Sequence, residues 1–205
     1  MTRELLAPNI LVLYLLVGLA GCDGTLPAPT VRPLPAPPLE SPACNLPAEL
    51  RQRNWVAANG EGSCVFASLC NHVQWLNDPR LAQVIRGRFA GGEYSSGVRA
   101  KLDSLGVAYQ YTESADGRFL DWCSATRRGA ILWWKPAHCC TFVGWVTSPD
   151  GRQFAAILDN NYPDKFELTE RGQFMRLWAG YGGFALAVTA DPTIPVPWPS
   201  YEVIP

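Results

Sequence analysis

Histidine is scarce in this chain of 205 residues: there are two, so any mechanism that needs imidazole must use His72 or His138. A basic excess is missing as well. Lys and Arg total 17 against 18 Asp and Glu, for a formal net charge of −1. Affinity for nucleic acid comes mainly from neutralised phosphates, so this balance argues against nucleic acid as a partner. The seven cysteines include no CxxC pair and no other metal-ligand spacing, so neither a metal nor a cofactor is expected. No internal repeat is present. Charged residues make only 17% and hydrophobic types 48%, which suits one domain of ordinary size rather than two.

Prolines cluster at the two ends. Before the first cluster, Leu5 to Ala20 form an apolar run broken only by Pro8, Asn9 and Gly18, ending in Leu19-Ala20-Gly21-Cys22. A short apolar core closed by small residues is the pattern of a signal peptide. Small residues directly before a cysteine resemble the bacterial lipobox, which implies acylation of Cys22 and a leader over 1–21. The expected location is the bacterial cell envelope, with the chain lipid-anchored on the extracytoplasmic side of a membrane. Eight prolines then fall between Gly24 and Pro47, too many for a helix or a central strand. The linker therefore spans 22–47 as an extended stalk, and 191–205, with five prolines, reads as a tail. The folded part runs from about Cys44 to Ala190, its domain over 48–190.

Helices come first in the domain and strands later. Phe66, Leu69, Val73 and Leu76 give Ser63 to Leu76 one helical face. Asp78-Pro79 supplies a cap and a first-turn proline for a second helix, and a third runs from about Ser96 to Leu105 before Gly106. Val107 to Thr112 reads as a strand, and a short helix follows Asp116-Gly117. Ala130 to Lys135, His138 to Val146, Phe154 to Asp159 and Phe184 to Thr189 are β-rich, with Pro149-Asp150-Gly151 as a hairpin turn and a short helix over Glu170 to Ala179. This order is α+β.

The chemistry centres on Cys64 and His138. Cys64 lies where the glycine-rich Asn59-Gly60-Glu61-Gly62-Ser63 runs into the first helix. A helix start offers free N–H groups and the positive dipole end to a thiolate or an oxyanion. Cys70, further along the same helix, reads as plain core. His72 is eight positions past Cys64, about 12 Å along the axis, and reads as a packing or surface residue. His138 opens a strand instead, and the next strand ends in Asp159-Asn160-Asn161. A carboxylate or amide there could orient the imidazole, completing a nucleophile–base–orienter set. An exported compartment permits disulfides among Cys44, Cys70, Cys123, Cys139 and Cys140, although strand alternation sends the neighbours Cys139 and Cys140 to opposite faces.

Gly62-Ser63-Cys64 with Phe66-Ala67, His138 with Val143-Gly144-Trp145, and Asn160-Asn161-Tyr162 together resemble the motifs of the papain-like cysteine peptidase superfamily. The resemblance implies a papain-like α+β fold, a helical N-terminal half whose nucleophile helix packs on an antiparallel β-sheet. It also implies Cys64 as nucleophile, His138 as base and Asn160 as orienter. The family's oxyanion glutamine stands six places before its cysteine, where this chain has Ala58; Asn59, one place nearer, is the oxyanion candidate. His138 follows Cys64 by 74 positions, a compactness more like the bacteriocin-processing peptidase domains. There the last member is commonly Asp, which makes Asp159 the alternative to Asn160. The expected activity is hydrolysis of amide bonds in a peptide or protein substrate. An acyltransferase or cell-wall amidase would use the same acyl-enzyme, and an inactive binding or structural module of the envelope would keep the fold alone.

Overall fold

The computed structural model describes residues 42–190. The leader over 1–21, the acylation of Cys22, the linker as far as residue 41 and the tail over 191–205 lie outside the described residues. Among the described residues no helix is long and apolar enough to cross a membrane.

Three helices lead: α1 (Cys64–Trp75), α2 (Pro79–Arg88) and α3 (Ser95–Ser104). Then come β1 (Tyr109–Thr112), α4 (Gly117–Ala125), β2 (Ala130–Trp133), β3 (Cys139–Thr147), β4 (Gln153–Leu158), β5 (Phe166–Glu170), α5 (Arg171–Gly180) and β6 (Ala185–Val188). Caps explain two of the helix starts. The Asp78 side chain accepts the Leu81 N–H at 2.9 Å with Pro79 in the first turn, and Asp116 accepts the Arg118 N–H at 3.0 Å. β5 falls where the sequence suggested only loop. Its Phe166 and Leu168 are buried while Glu167 between them and Thr169 after them are half-buried, a period of two too short to stand out beside the helix that follows.

The strands form one antiparallel sheet in the order β1-β6-β2-β3-β4-β5, covered by helices on both faces. Helix α1 packs on β2, β3 and β6, α4 on β3, and α5 on β4 and β5. Every residue of α1 except Gln74 is buried. The single apolar stripe read from the sequence is therefore too narrow; α1 is a central helix, covered by α2 as well as by the sheet. The pleat divides the core in two. Cys139, Val143, Leu158 and Leu186 pack on the α1 side, whereas Cys140, Phe142, Ile157 and Ala185 pack with Phe174 and Trp178 of α5 on the other.

Folding begins earlier than residue 48. Cys44, Asn45 and Leu46 are buried, and the Cys44 N–H donates to the Val143 carbonyl at 2.8 Å. That carbonyl is available because β3 slips register between Phe142 and Gly144. Gly144 has φ +129°, and a Cβ there would lie 3.2 Å from the Ala43 nitrogen, so the close approach of the entering chain needs glycine. The end of the proline-rich stretch is thus part of the packed domain, held by its buried Cys44 and Leu46 and by the Arg51 bond to the Leu46 carbonyl at 2.8 Å.

Candidate active site

Three elements meet at one end of the sheet. β3 starts there, β4 ends there because it runs antiparallel, and α1 presents its N-terminus over both. Cys64 is the first residue of α1 and only 8% exposed. Ser63, in the cap position, makes no side-chain bond to the helix; its hydroxyl accepts the Gly91 N–H at 2.9 Å. The first-turn amides thus receive no side-chain cap, and the positive end of the helix is left for an anion.

His138 sits in the turn between β2 and β3, closed by the Trp134 N–H donating to the His138 carbonyl at 2.9 Å. Its Nε2 lies 2.9 Å from Asp159 Oδ1, and the imidazole neighbours the Cys64 thiol closely enough to lower its pKa. With Nε2 held by the carboxylate, Nδ1 is the nitrogen left for sulfur. Asp159 is 2% exposed; Oδ1 also accepts the Asn161 N–H at 2.8 Å and Oδ2 accepts from Lys135 Nζ at 2.9 Å.

The electrostatics follow from these contacts. Burial alone raises the Cys64 pKa, yet the His138 bond, the backbone of Cys139 and Val65, and the imidazolium charge bring it below the ordinary thiol value. Burial likewise disfavours the His138 cation, but Asp159 and the Cys64 thiolate outweigh it and lift the imidazole to about 9. Asp159 is held well below the carboxylate range by His138, Lys135 and the Asn161 N–H against the cost of its burial. Every neighbour of this trio favours the charged form. By contrast, burial pushes Cys70 up to about 12 and His72 down to about 4, with His72 Nε2 accepting the Val188 N–H at 2.9 Å. These two are packing groups.

Asn160 does not reach the ring. It is fully buried, and its Nδ2 lies 3.0 Å from the Cys64 carbonyl, 2.8 Å from Ser68 Oγ and 2.8 Å from the Cys139 carbonyl. Its role is to tie α1 to β3, and the orienting position belongs to Asp159. The pleat decides this. Thr141 pairs with Leu158, so continuing the register sets Cys140 opposite Asp159 and Cys139 opposite Asn160. Asp159 therefore points to the face of Cys140 and of His138 two places earlier, while Asn160 points with Cys139 toward α1.

Asn59 is also displaced. Residues 55–63 form a small hairpin, with Val56 bridged to Gly62, the Ala57 N–H on the Glu61 carbonyl and the Ser63 N–H on the Trp55 carbonyl, each bond 2.8 Å. Asn59 is at its exposed turn, where Oδ1 accepts the Glu61 N–H at 3.1 Å. The amide brought to the base of the hairpin is Asn54. A Cβ on Gly62 would lie 3.1 Å from Asn54 Nδ2, and that nitrogen donates to Asn161 Oδ1 at 3.0 Å. Sequence distance misled because a hairpin places its ends, not its turn, beside the next element; Gly60 and Gly62 were the available signal.

His138, Cys140 and Asp159 offer ligand atoms within 4.8 Å of one another. Burial and the nearby Asp159 charge hold the Cys140 thiol proton well above the ordinary range, and the imidazole and carboxylate already bind each other. Within this cluster His138 is bonded to Asp159, and the Cys140 thiol lies beside the pair. All six described cysteines are free. What the arrangement offers chemically is a thiol beside an imidazole at a helix N-terminus, each shifted toward its charged form, with a buried carboxylate behind the ring. Searches of protein-family models, of curated proteins and of solved structures give no match for this chain.

Proposed function

We propose that this chain is a papain-like cysteine hydrolase of the bacterial cell envelope, lipid-anchored through Cys22, and most simply a peptidase. One observation carries the reading: at an uncapped helix start the Cys64 thiol is lowered by the neighbouring His138 ring, whose Nε2 lies 2.9 Å from the Asp159 carboxylate. In this reading the Cys64 thiolate attacks the carbonyl carbon of a peptide bond. A C–S bond forms, and the carbonyl π electrons move to oxygen, which the Cys64 N–H and the spare N–H of Asn54 Nδ2 receive. The His138 imidazolium gives its proton to the leaving nitrogen as the C–N bond breaks. Water then attacks the thioester, losing a proton to His138, and the acid product leaves as the thiolate re-forms. Asp159 keeps Nε2–H engaged so that Nδ1 faces sulfur throughout. No cofactor enters any step.

The test is labelling of the full-length protein with an epoxide or iodoacetamide probe, competed by peptides, with peptide cleavage followed by mass spectrometry. Cys64 is expected to take the label ahead of all other cysteines at pH 6, and Cys64→Ser to abolish both labelling and cleavage. Labelling of Cys64 without cleavage of any peptide or transfer to any amine would leave the binding-module reading in its place. The anchor has its own test. Cys22→Ser is expected to prevent incorporation of radiolabelled fatty acid and to leave the precursor unprocessed; a mature chain that starts elsewhere and carries no lipid would remove the lipoprotein reading.

A further inference from the structure

Lys135 stands behind the site, in a role the thiol chemistry above does not use. Its Nζ lies 2.9 Å from Asp159 Oδ2 and 2.6 Å from Glu167 Oε1 on β5. The carboxylate it touches is 2% exposed, whereas the lysine side chain keeps 40% of its surface in solvent. The turn that carries it is unusual. Lys135 has φ +69° and Ala137 φ +51°, two non-glycine residues in the left-handed region on either side of Pro136. This backbone lets residues three apart, Lys135 and His138, converge on the two oxygens of one carboxylate.

We propose that Lys135 is a positioning residue that acts through Asp159 to limit how tightly His138 holds its proton; this rests on the reading of Cys64 and His138 as a functional pair. The ammonium neutralises the outer oxygen of a carboxylate whose inner oxygen is bonded to the imidazole. Without it, the Asp159 carboxylate that holds the ring and the Glu167 carboxylate beside the lysine both lose the cation they share. The groups that face Asp159 are His138 and Lys135 from the turn, Cys140 from β3 and Glu167 from β5, with Cys64 of α1 beyond the ring. Cys140 stays protonated, so Lys135 is the single cation among them besides His138 itself. The chemical consequence concerns the leaving group. An imidazolium that binds its proton too tightly is a poor general acid, and efficiency is best when its pKa lies near the working pH. A lysine on the far side of the carboxylate moves His138 toward that optimum.

The experiment exploits the two-histidine composition. Isotope-labelled histidine gives two ring signals, and the buried His72, lowered to about 4, does not titrate between pH 5.5 and 10. The His138 midpoint is read by NMR in native protein, Lys135→Met and Lys135→Arg, each checked for native melting behaviour, and again in a Cys64→Ser background. A cation on the far oxygen of the same carboxylate, in a partly solvated site, leads us to expect an upward shift of about 0.5–1 pH unit in Lys135→Met. Lys135→Arg is expected to stay within about 0.3 unit of native. In parallel, the alkaline limb of peptide cleavage moves up and the rate at pH 7 falls several-fold. An unchanged or lowered midpoint in Lys135→Met overturns the proposal, as does an equal shift in Lys135→Arg. The Cys64→Ser pair separates the two ideas. A Lys135-dependent shift there, with no cleavage by native protein, keeps this inference and removes the hydrolase; cleavage by native protein with no shift does the reverse.

Discussion

Replacing His138 by alanine is expected to slow alkylation of Cys64 about ten- to hundredfold near pH 6, with the two proteins converging as pH rises past 9. An isolated thiol of pKa about 8.5 is less than 1% thiolate at pH 6. In the native site the thiol lies below its ordinary value and His138 is lifted to about 9, each favouring the other's charged form. The gain in rate is smaller than the gain in thiolate, because a less basic thiolate is a weaker nucleophile. The internal references are good. Burial raises Cys44, Cys70, Cys123, Cys139 and Cys140, so each reacts later than Cys64. Removing His72, which is 1% exposed and bonded to β6, should lower the melting temperature yet leave the Cys64 profile in place. A native profile that rises only near pH 8.5 and ignores His138→Ala would remove the functional pair. The linkage has a definite sign as well. His138 binds its proton more tightly folded than unfolded, so its contribution to stability is complete below about pH 6.5 and is lost as pH rises through 9. Asp159 acts oppositely, contributing above about pH 4 and losing that contribution as the solution is acidified.

The residues differ in how far they could be read in advance, and the reason is geometric. Asp78-Pro79 marks the start of α2 because a cap and a first-turn proline act within four residues. Cys64 and His138 could be singled out because each lies at the end of an element whose type is legible, a helix after glycines and a strand after Pro136. The choice between Asp159 and Asn160 could not. It depends on the parity of one strand against its neighbour, which needs the β3–β4 register, and a bulge between Phe142 and Gly144 shifts that register part-way along. Asn54 was hidden for a related reason: ten positions from Cys64 in sequence, it returns to Gly62 only once the Val56–Gly62 bridge closes. Lys135 looked like the polar end of a strand. Its left-handed backbone has no glycine to announce it, and its contacts with Asp159 and Glu167 join residues far apart in sequence.

Asn160→Ala provides the second large effect, on stability instead of reactivity. The Asn160 side chain is fully buried and bridges the Cys64 carbonyl, Ser68 Oγ and the Cys139 carbonyl, so it joins the first turn of α1 to the first residue of β3. The Asn160 carbonyl also accepts the Asn54 N–H at 2.8 Å, but that backbone bond survives the substitution. Loss of the amide removes a buried donor shared by three acceptors, at about 1–3 kcal/mol for each acceptor left short where water cannot reach; the Cys64 carbonyl keeps its helical bond from the Ser68 N–H. Ser68 Oγ can still donate to the Cys139 carbonyl at 3.1 Å, which moderates the total. The expected cost is about 3 kcal/mol, a fall in melting temperature of roughly 6–12 °C for a domain near 150 residues. Alkylation of Cys64 in the folded protein at low temperature should keep its native pH profile, because His138 and Asp159 still face each other. Asp159→Asn should do the opposite. It preserves the shape of the side chain but removes the charge that holds the imidazolium, so the His138 midpoint falls while melting changes less. A native melting temperature in Asn160→Ala combined with a displaced thiol profile would return the orienting role to Asn160 and take it from Asp159.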